Sequence, residues 1–294
     1  MHGNRYNQEL ANRGSLKVYV GDDLAAKWAE PKTTRLTPGR PALYPDSVIM
    51  LGLLLQQIYR LPLRQTMGLM RSVLDLGRIA LPVPDYSTLC RRRQDLVLPA
   101  WPKAGACIVI DSTGLQIRGP NTWLTTVHGH KRRTYRKIHL GVDPDSSLIV
   151  AGVVTPCQTH DSEALEAVLE TADLQESAGS DWRWRLRPAP MLCRGQETRP
   201  ATHYTPRMGA VLHGDPALFE RNSVVKAVRL LGKKRWKLAC RYGRRSLAET
   251  AMHRIKAAFG PGLRSRRWPN QRHEALLRAH ILNGWRTPKR LLDT

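Results

Sequence analysis

The chain has 294 residues, of which 47 are Lys or Arg and 24 are Asp or Glu, so its formal net charge is +23. This charge exceeds what solubility requires and indicates a polyanionic partner, for which nucleic acid is a better candidate than a lipid surface. The N-terminus has no apolar signal-peptide core and the sequence has no long apolar run. We therefore expect a cytoplasmic protein that makes no contact with a membrane.

The charge is distributed unevenly along the chain. Residues 181–294 carry most of the excess positive charge, whereas residues 101–180 are slightly acidic. We expect metal-binding carboxylates in the acidic middle and phosphate contacts in the basic C-terminal part. The five cysteines form no CxxC pair, which predicts neither a zinc site nor a disulfide framework.

Residues 1–98 have the pattern of a helical domain. Asp46 or Ser47 can cap a helix that continues to Ile58, and Pro62 separates it from a second helix over 64–76. A third helix follows Pro84, with Ser87 as its expected cap. It presents three consecutive arginines, which suggests a helix-turn-helix that binds DNA, and a charged face on a small helical bundle is the alternative. The three arginines are Arg91, Arg92 and Arg93.

The segment after the linker at 99–105 has strand patterns. Residues 106–110 are an apolar run that leads into Asp111, and we predict a tight turn at 112–114 before a second short strand. Residues 135–142 and 148–154 predict two further strands joined by a turn. Asp161 is then expected to cap a helix.

The segment 242–256 predicts a helix from about Arg245 onward, with one functional face. At 3.6 residues per turn, Arg245, Glu249 and Lys256 lie on one side of this helix, and Tyr242 precedes it in line. An ordinary Arg/Glu pair on a solvated helix face is the plain interpretation of this pattern. The spacing of Tyr, Arg, Glu and Lys favours a catalytic face.

These segments together resemble the DDE transposases of bacterial insertion sequences, of the insertion-sequence-five type. The Tyr-Arg-Glu-Lys spacing at 242–256 is similar to the signature that closes their catalytic site. Residues 61–66 and 84–93 resemble their helical domain, and residues 135–140 and 160–165 resemble their catalytic domain. The four segments occur in the family's order.

The resemblance implies an α/β fold, with a ribonuclease H-like mixed-sheet catalytic domain over 106–285 preceded by an all-α DNA-binding domain. It identifies Asp111 with the first catalytic Asp and Glu249 with the catalytic Glu, both as ligands of a two-ion Mg²⁺ site in which Mn²⁺ can substitute. Tyr242, Arg245 and Lys256 would bind DNA. The resemblance also implies a homodimer when active, bound to terminal inverted repeats and target DNA and associated with the nucleoid.

The family's second Asp has no clear counterpart in this chain. Where a Gly-Asp-Gly-Ala-Tyr-Asp type segment is expected, residues 180–187 read Ser-Asp-Trp-Arg-Trp-Arg-Leu-Arg, and the stretch to about 207 lacks a strand pattern. A local interpretation is a loop that binds single-stranded nucleic acid through Trp and Arg. Asp181 is the nearest carboxylate and a poor substitute for the missing ligand.

A shifted reading frame offers a sharper interpretation of this stretch. Residues 181–188 can be back-translated so that the next frame encodes Ile-Gly-Asp-Gly-Ala-Tyr-Asp. We therefore hypothesise compensating frameshifts that scramble about residues 178–207. The expected function is transposition by metal-dependent DNA strand cleavage and transfer, in a copy that the frameshift could inactivate. The alternative is a non-catalytic DNA-binding remnant of a transposase.

Overall fold

A computed structural model gives the structure of the chain. It describes residues 7, 10–11, 14–15, 24–29, 42–105, 107–117, 135–173, 191–194, 200–203, 210–215, 219–239 and 242–286, with the backbone alone for 191–194, 200–203 and 220. The chain forms two compact units. The helical unit comprises residues 1–99, 258–260 and 265–294, and the sheet unit comprises residues 100–257 and 261–264.

The described helices and strands follow one another along the chain as listed here. The helices are α1 (Leu24–Ala29), α2 (Asp46–Ile58), α3 (Leu63–Leu76), α4 (Tyr86–Arg92), α5 (Asp161–Thr171), α6 (Phe219–Leu231), α7 (Lys233–Ala239), α8 (Ser246–Phe259) and α9 (Trp268–Gly284). The strands are β1 (Cys107–Ile117), β2 (Tyr135–Val142), β3 (Ile149–Pro156), β4 (Met191–Arg194), β5 (Pro200–His203) and β6 (Gly262–Leu263). None of the described helices is both long and apolar enough to cross a bilayer.

The helical unit is organised around α2. Its residues 48–57 are all buried, because apolar side chains occur on every side of the helix rather than in one stripe. The predicted helices over 46–58 and 64–76 are confirmed within one residue. The caps differ from expectation, since Pro45 and Pro62 precede α2 and α3 and neither helix has a side-chain cap. In α4, the Asp85 carboxylate rather than Ser87 is the cap, and it accepts a 2.8 Å hydrogen bond from Ser87 N.

Helix α9 belongs to the helical unit and brings a buried polar network into it. Glu274 and Arg278 are 0% and 1% exposed and form an ion pair at 2.7 Å. Arg278 Nε also donates to Gln57 Oε1 of α2 at 2.9 Å, and Ser265 N donates to Glu274 Oε2 at 2.8 Å. The unit boundary therefore differs from the predicted domain limits of 98 and 285. The functional assignment of each domain stays a prediction.

The sheet unit contains a mixed sheet with the strand order β3-β2-β1-β4-β5. β1 pairs antiparallel with β2 along one edge, and on its other edge it pairs antiparallel with β4 and parallel with β6. The predicted β2–β3 hairpin is confirmed, and its turn is held by Asp143, which accepts hydrogen bonds from Asp145 N at 2.9 Å and Ser146 Oγ at 2.8 Å.

Helix α5 covers one face of this sheet. Leu165, Val168 and Leu169 pack against apolar residues of β1 and β3 in a buried cluster that includes Ile108, Ile110, Val150 and Ala151. The helix begins at Asp161, and its cap is the preceding residue, His160, in a capping box with Glu163. The expectation that Asp161 caps the helix is therefore wrong by one position.

The predicted turn at 112–114 is also wrong, because β1 runs unbroken through it. Each of these three residues pairs with a residue of β2. Gly114 lies opposite Lys137, and a Cβ at this position would meet the Tyr135 ring at 3.1 Å. The glycine therefore gives the ring room within a strand and does not mark a turn.

The stretch around 178–207 contains two strands that we did not predict. β4 pairs with residues 107–109 of β1, and β5 pairs with β4. Cys107 lies opposite Cys193 in this register and is disulfide-bonded, contrary to the expectation from cysteine spacing. Pairing between distant segments brings these positions together, and spacing along the sequence does not reveal it. Residues 174–190, 195–199 and 204–209 lie outside the described part of the chain.

Candidate active site

Asp111 lies in the middle of β1 on the sheet face opposite α5. Neighbouring side chains of a strand point to opposite faces, and its neighbour Ile110 packs in the α5 cluster. Asp111 is half-buried, and its Oδ1 accepts a hydrogen bond from Ser112 N at 2.9 Å. The strand interior thus positions one carboxylate on a face that α5 does not cover.

The pKa of Asp111 is raised above its ordinary value. Burial is the largest cause, and the negative charges of Glu249 and Asp161 add to it. The Ser112 N–H and the positive charge of Arg245 act in the opposite direction. The site therefore brings Asp111 within electrostatic range of two further carboxylates and one guanidinium.

Arg245 and Glu249 pair with each other at this site. Arg245 Nη2 lies 3.2 Å from Glu249 Oε1, one turn apart, in the i,i+4 arrangement that the plain interpretation of the helix predicted. Arg245 ends the 3₁₀ turn Tyr242–Arg245, which contacts β1, and Glu249 lies in the first turn of α8. Arg245 Nε is buried without a hydrogen-bond partner among the described residues.

The turn that precedes α8 holds Tyr242 by its ring. The ring lies 5.5 Å from that of Trp236, which is 5% exposed, and Lys237 Nζ lies 5.6 Å from the Tyr242 ring centre. Arg244 of the same turn forms an ion pair with Asp145 of the β2–β3 turn. Lys256 is half-buried in the last turn of α8. The DNA contacts of Tyr242, Arg245 and Lys256 stay predictions.

The arginine run at 91–93 requires a correction. Arg92 is 5% exposed and bonds to Tyr44 O and Asp46, while Arg93 is 4% exposed and bonds to Gln56 and Ser265. Both guanidinium groups thus satisfy partners inside the helical unit instead of facing DNA. Arg91 alone is exposed, and its role in DNA binding stays a prediction.

A polar cluster at the start of α5, within electrostatic range of Asp111, was missed by the sequence analysis. Lys137 Nζ lies 3.2 Å from Asp161 Oδ1 and donates to Thr159 O at 2.8 Å, and His139 Nδ1 lies 3.8 Å from the same Asp161 oxygen. Burial would raise the pKa of Asp161, but hydrogen bonds from Lys137 and Ser112 lower it. Lys137, His139 and Asp161 all lie in the two segments that carry the resemblance to the catalytic domain, which was the available signal.

The carboxylates present fit a divalent cation in part. Asp111 and Glu249 supply hard oxygen donors, and a bound cation would counteract both the burial and the carboxylate repulsion that raise the pKa of Asp111. The described residues contain no group of three or more His, Cys, Asp or Glu side chains that could hold a metal. Asp181, the doubtful third ligand, lies outside the described residues. Asp111 and Glu249 therefore remain proposed ligands, and the two-ion Mg²⁺ site stays a prediction.

Comparison with protein families gives two matches. Two family models, each described as a transposase DDE domain, match residues 11–120 and 102–184. These matches support a DDE transposase. The transposase matches together include Asp111, Asp161 and Asp181 and end before Glu249. One solved structure, of a piggyBac transposase synaptic complex with hairpin DNA, matches with a TM-score of 0.32 and 11% identity over 95% of this chain and 75% of that chain.

Proposed function

We propose that the chain is a transposase of insertion-sequence-five type, with a ribonuclease H-like catalytic domain that acts on double-stranded DNA. The observation that carries the proposal is the placement of Asp111. It occupies the interior of the central strand, and its charge interacts with those of Glu249 and Arg245 on the turn and helix that hold the Tyr-Arg-Glu-Lys spacing. The transposase DDE matches include this strand.

The roles of the site residues follow from their charge. A Mg²⁺ or Mn²⁺ ion held by Asp111 and Glu249 would activate a water or a 3′-hydroxyl and stabilise the leaving oxygen of an in-line phosphoryl transfer. Arg245 neutralises Glu249 until a phosphate or a cation replaces that contact. Tyr242 and Lys256, with the basic C-terminal part of the chain, would hold the phosphates near the scissile bond as charge-assisted contacts. The active form would be a homodimer that joins two element ends.

A non-catalytic DNA-binding remnant is the second candidate. Its support is the incomplete ligand set among the described residues, in which Glu249 pairs with Arg245 and no group of three ligands occurs. In this candidate the basic surface retains affinity for DNA after the carboxylate site has decayed.

Manganese binding and duplex binding together test the proposal. We expect the wild-type chain to bind duplex DNA and also Mn²⁺, measured by the loss of the free-ion paramagnetic resonance signal. Asp111→Asn and Glu249→Gln should each weaken Mn²⁺ binding about tenfold or more, whereas the exposed control Asp173→Asn should not. Absence of duplex binding would refute both candidates. Mn²⁺ binding that is indifferent to Asp111 and Glu249 would favour the remnant.

A further inference from the structure

A helical hairpin that adjoins the turn holding Tyr242 has an unusual surface. Helices α6 and α7 are joined by Gly232, whose φ of +76° is a conformation that glycine adopts readily. Residues 219–239 contain seven basic side chains and one acidic one. They also expose four large apolar side chains, Phe219, Leu230, Leu231 and Leu238, which are 73%, 86%, 44% and 72% exposed. This combination calls for a partner that accepts both charge and apolar contact.

The inner side of the hairpin is fixed within the sheet unit. Val225 and Trp236 are 2% and 5% exposed, and Trp236 packs on Tyr242. Two of the seven basic residues are used in internal hydrogen bonds: Arg221 Nη1 donates to Val211 O at 2.9 Å, and Arg229 Nη2 donates to Ala210 O at 2.8 Å. These residues thus attach the hairpin to the sheet unit. Its other five basic side chains take no part in these two hydrogen bonds.

The outer side combines cations and leucines at helical spacing. On α6, Phe219, Ser223, Lys226 and Leu230 are all exposed at intervals of four, three and four residues. On α7, the exposed Lys234 and Leu238 are one turn apart and face away from the buried Trp236. Four cations of the hairpin are exposed and take part in neither of the internal hydrogen bonds described above. They are Lys226, Lys233, Lys234 and Arg235.

We infer that the outer face of the α6–α7 hairpin is a second DNA-binding surface, which contacts the backbone of duplex DNA through its own cations rather than through the carboxylates Asp111 and Glu249. A second copy of this chain is a poor occupant, since two surfaces with this excess of positive charge would repel each other. DNA supplies the complementary negative charge. It also offers sugar and base edges that Leu230 and Leu238 can contact, as apolar side chains do in groove-binding proteins. The inference rests on the proposed function, and it adds a surface that tethers the duplex independently of the metal site.

Salt dependence of binding distinguishes this surface from the rest of the basic chain. Each phosphate contact that is lost lowers the slope of log affinity against log salt by about 0.9. We expect the variant Lys226→Gln/Lys233→Gln/Lys234→Gln to lose about 2 to 3 from this slope on a fluorescent duplex. The control is Lys103→Gln, which removes an exposed cation outside the predicted DNA-binding domain at 1–98 and should leave the slope almost unchanged. Ser223→Lys adds a cation to the same face and should steepen the slope.

The leucines are tested separately. Leu230→Ser/Leu238→Ser should weaken duplex binding several-fold at unchanged slope, because apolar contacts release no counterions. Leu76→Ser, at a position that is 85% exposed, serves as the control. Equal slopes for the hairpin triple variant and its control would overturn the inference. The proposed function would still stand in that case, provided that the wild type binds duplex DNA. A leucine variant that changes the oligomeric state in light scattering, with DNA affinity intact, would overturn it in favour of a second copy. Absence of wild-type binding would instead refute the proposed function itself.

Discussion

Two aspartates near the centre of the sheet unit have opposite electrostatic environments. Burial and the charges of Glu249 and Asp161 raise the pKa of Asp111, whereas hydrogen bonds from Lys137 and Ser112 lower the pKa of Asp161 against the effect of burial. The negative charge of Asp111 therefore destabilises the folded state, whereas the negative charge of Asp161 stabilises it. Destabilisation by an ionised carboxylate is expected at a site that binds a cation.

We predict that Asp111→Asn stabilises the fold at neutral pH. Because the pKa of Asp111 is raised in the folded state, the folded chain binds more protons than the unfolded chain between the ordinary value of 3.8 and the raised value. The free energy of unfolding therefore falls as pH rises through this window. Asparagine carries no charge and does not lose stability in this way. The variant should therefore melt at a higher temperature than the wild type at pH 7, and this difference should vanish below pH 3.8.

Asp161→Asn is the opposite control for this prediction. The pKa of Asp161 is lowered in the folded state, so its contribution is present above the ordinary value and is lost as pH falls through the lowered one. The variant should therefore be less stable than the wild type at pH 7. If Asp111→Asn also destabilises the fold at pH 7, the charge at Asp111 is not under the repulsion described here.

Among the elements, those specified by local pattern were predicted well. α2 is a nearly continuous apolar run, Pro62 separates it from α3, and β2 and β3 flank a turn of Asp, Pro and Ser, so the short-range sequence was sufficient. The elements that depend on distant partners were predicted badly. β4 has only four residues and forms because β1 offers an edge to it. The turn predicted at 112–114 is replaced by ladder pairing with β2 for the same reason.

The candidate site shows the same division. The one-turn spacing that pairs Arg245 with Glu249 could be predicted from sequence and is confirmed. The assignment of Asp111 through the family resemblance stays a prediction. The burial of Arg92 and Arg93 could not, since their partners Asp46, Gln56 and Ser265 lie far away in the sequence. Asp161 was likewise interpreted only as a helix cap, because its partner Lys137 precedes it by 24 residues.

Helix α9 supplies a prediction at the scale of an element. Glu274 and Arg278 form a buried ion pair, and removing one partner leaves the other charge buried without compensation. We expect Arg278→Met to cost about 3–5 kcal/mol in the free energy of unfolding. The double variant Glu274→Met/Arg278→Met should cost less than the sum of the two single variants, measured by urea unfolding. Additive effects would show that the two side chains do not act as a pair.

Two buried histidines of α9 predict an acid sensitivity of the whole molecule. The pKa of His273 is lowered to about 4 by burial and by the charge of Arg93, against the charge of Glu274. The pKa of His280 is lowered to about 4 by burial and by the charge of His273. Both Nδ1 and Nε2 of His273 are buried without a hydrogen-bond partner among the described residues. The folded chain therefore excludes protons that the unfolded chain binds below pH 6.5.

Stability should accordingly fall as pH decreases from 6.5 towards 4, by roughly 1–3 kcal/mol per histidine at pH 5. Measurement between pH 6.5 and about 5 keeps most carboxylates out of their titration range. Urea unfolding of His273→Leu/His280→Leu should show a much flatter dependence in this window, whatever its absolute stability. A variant with the same slope as the wild type would show that other groups cause the acid sensitivity.

At the scale of the whole molecule, we expect DNA binding without strand cleavage. Affinity comes mainly from Lys and Arg displacing counterions and does not require a metal site, so the chain should bind duplex DNA with a steep salt dependence. Cleavage needs a complete set of ligands, and the described residues provide Asp111 and Glu249 without a third. Misplacing one catalytic group by about an ångström can already cost on the order of 100-fold in rate.

We therefore predict negligible cleavage of the ends of the surrounding genetic element by the chain as it stands, with Mg²⁺ or Mn²⁺. Restoring the shifted frame, so that Gly-Asp-Gly-Ala-Tyr-Asp replaces the Trp-Arg stretch near 181, should supply the missing carboxylate and recover cleavage. That recovered activity should be lost in Asp111→Asn and Glu249→Gln and retained in Asp173→Asn, in a gel assay of labelled ends. Efficient cleavage by the unrestored chain that survives Asp181→Asn would contradict both the frameshift hypothesis and the assigned site. A restored chain that binds the ends without cutting them would leave the non-catalytic remnant as the better description, because the carboxylates would then be present without the chemistry they are proposed to perform.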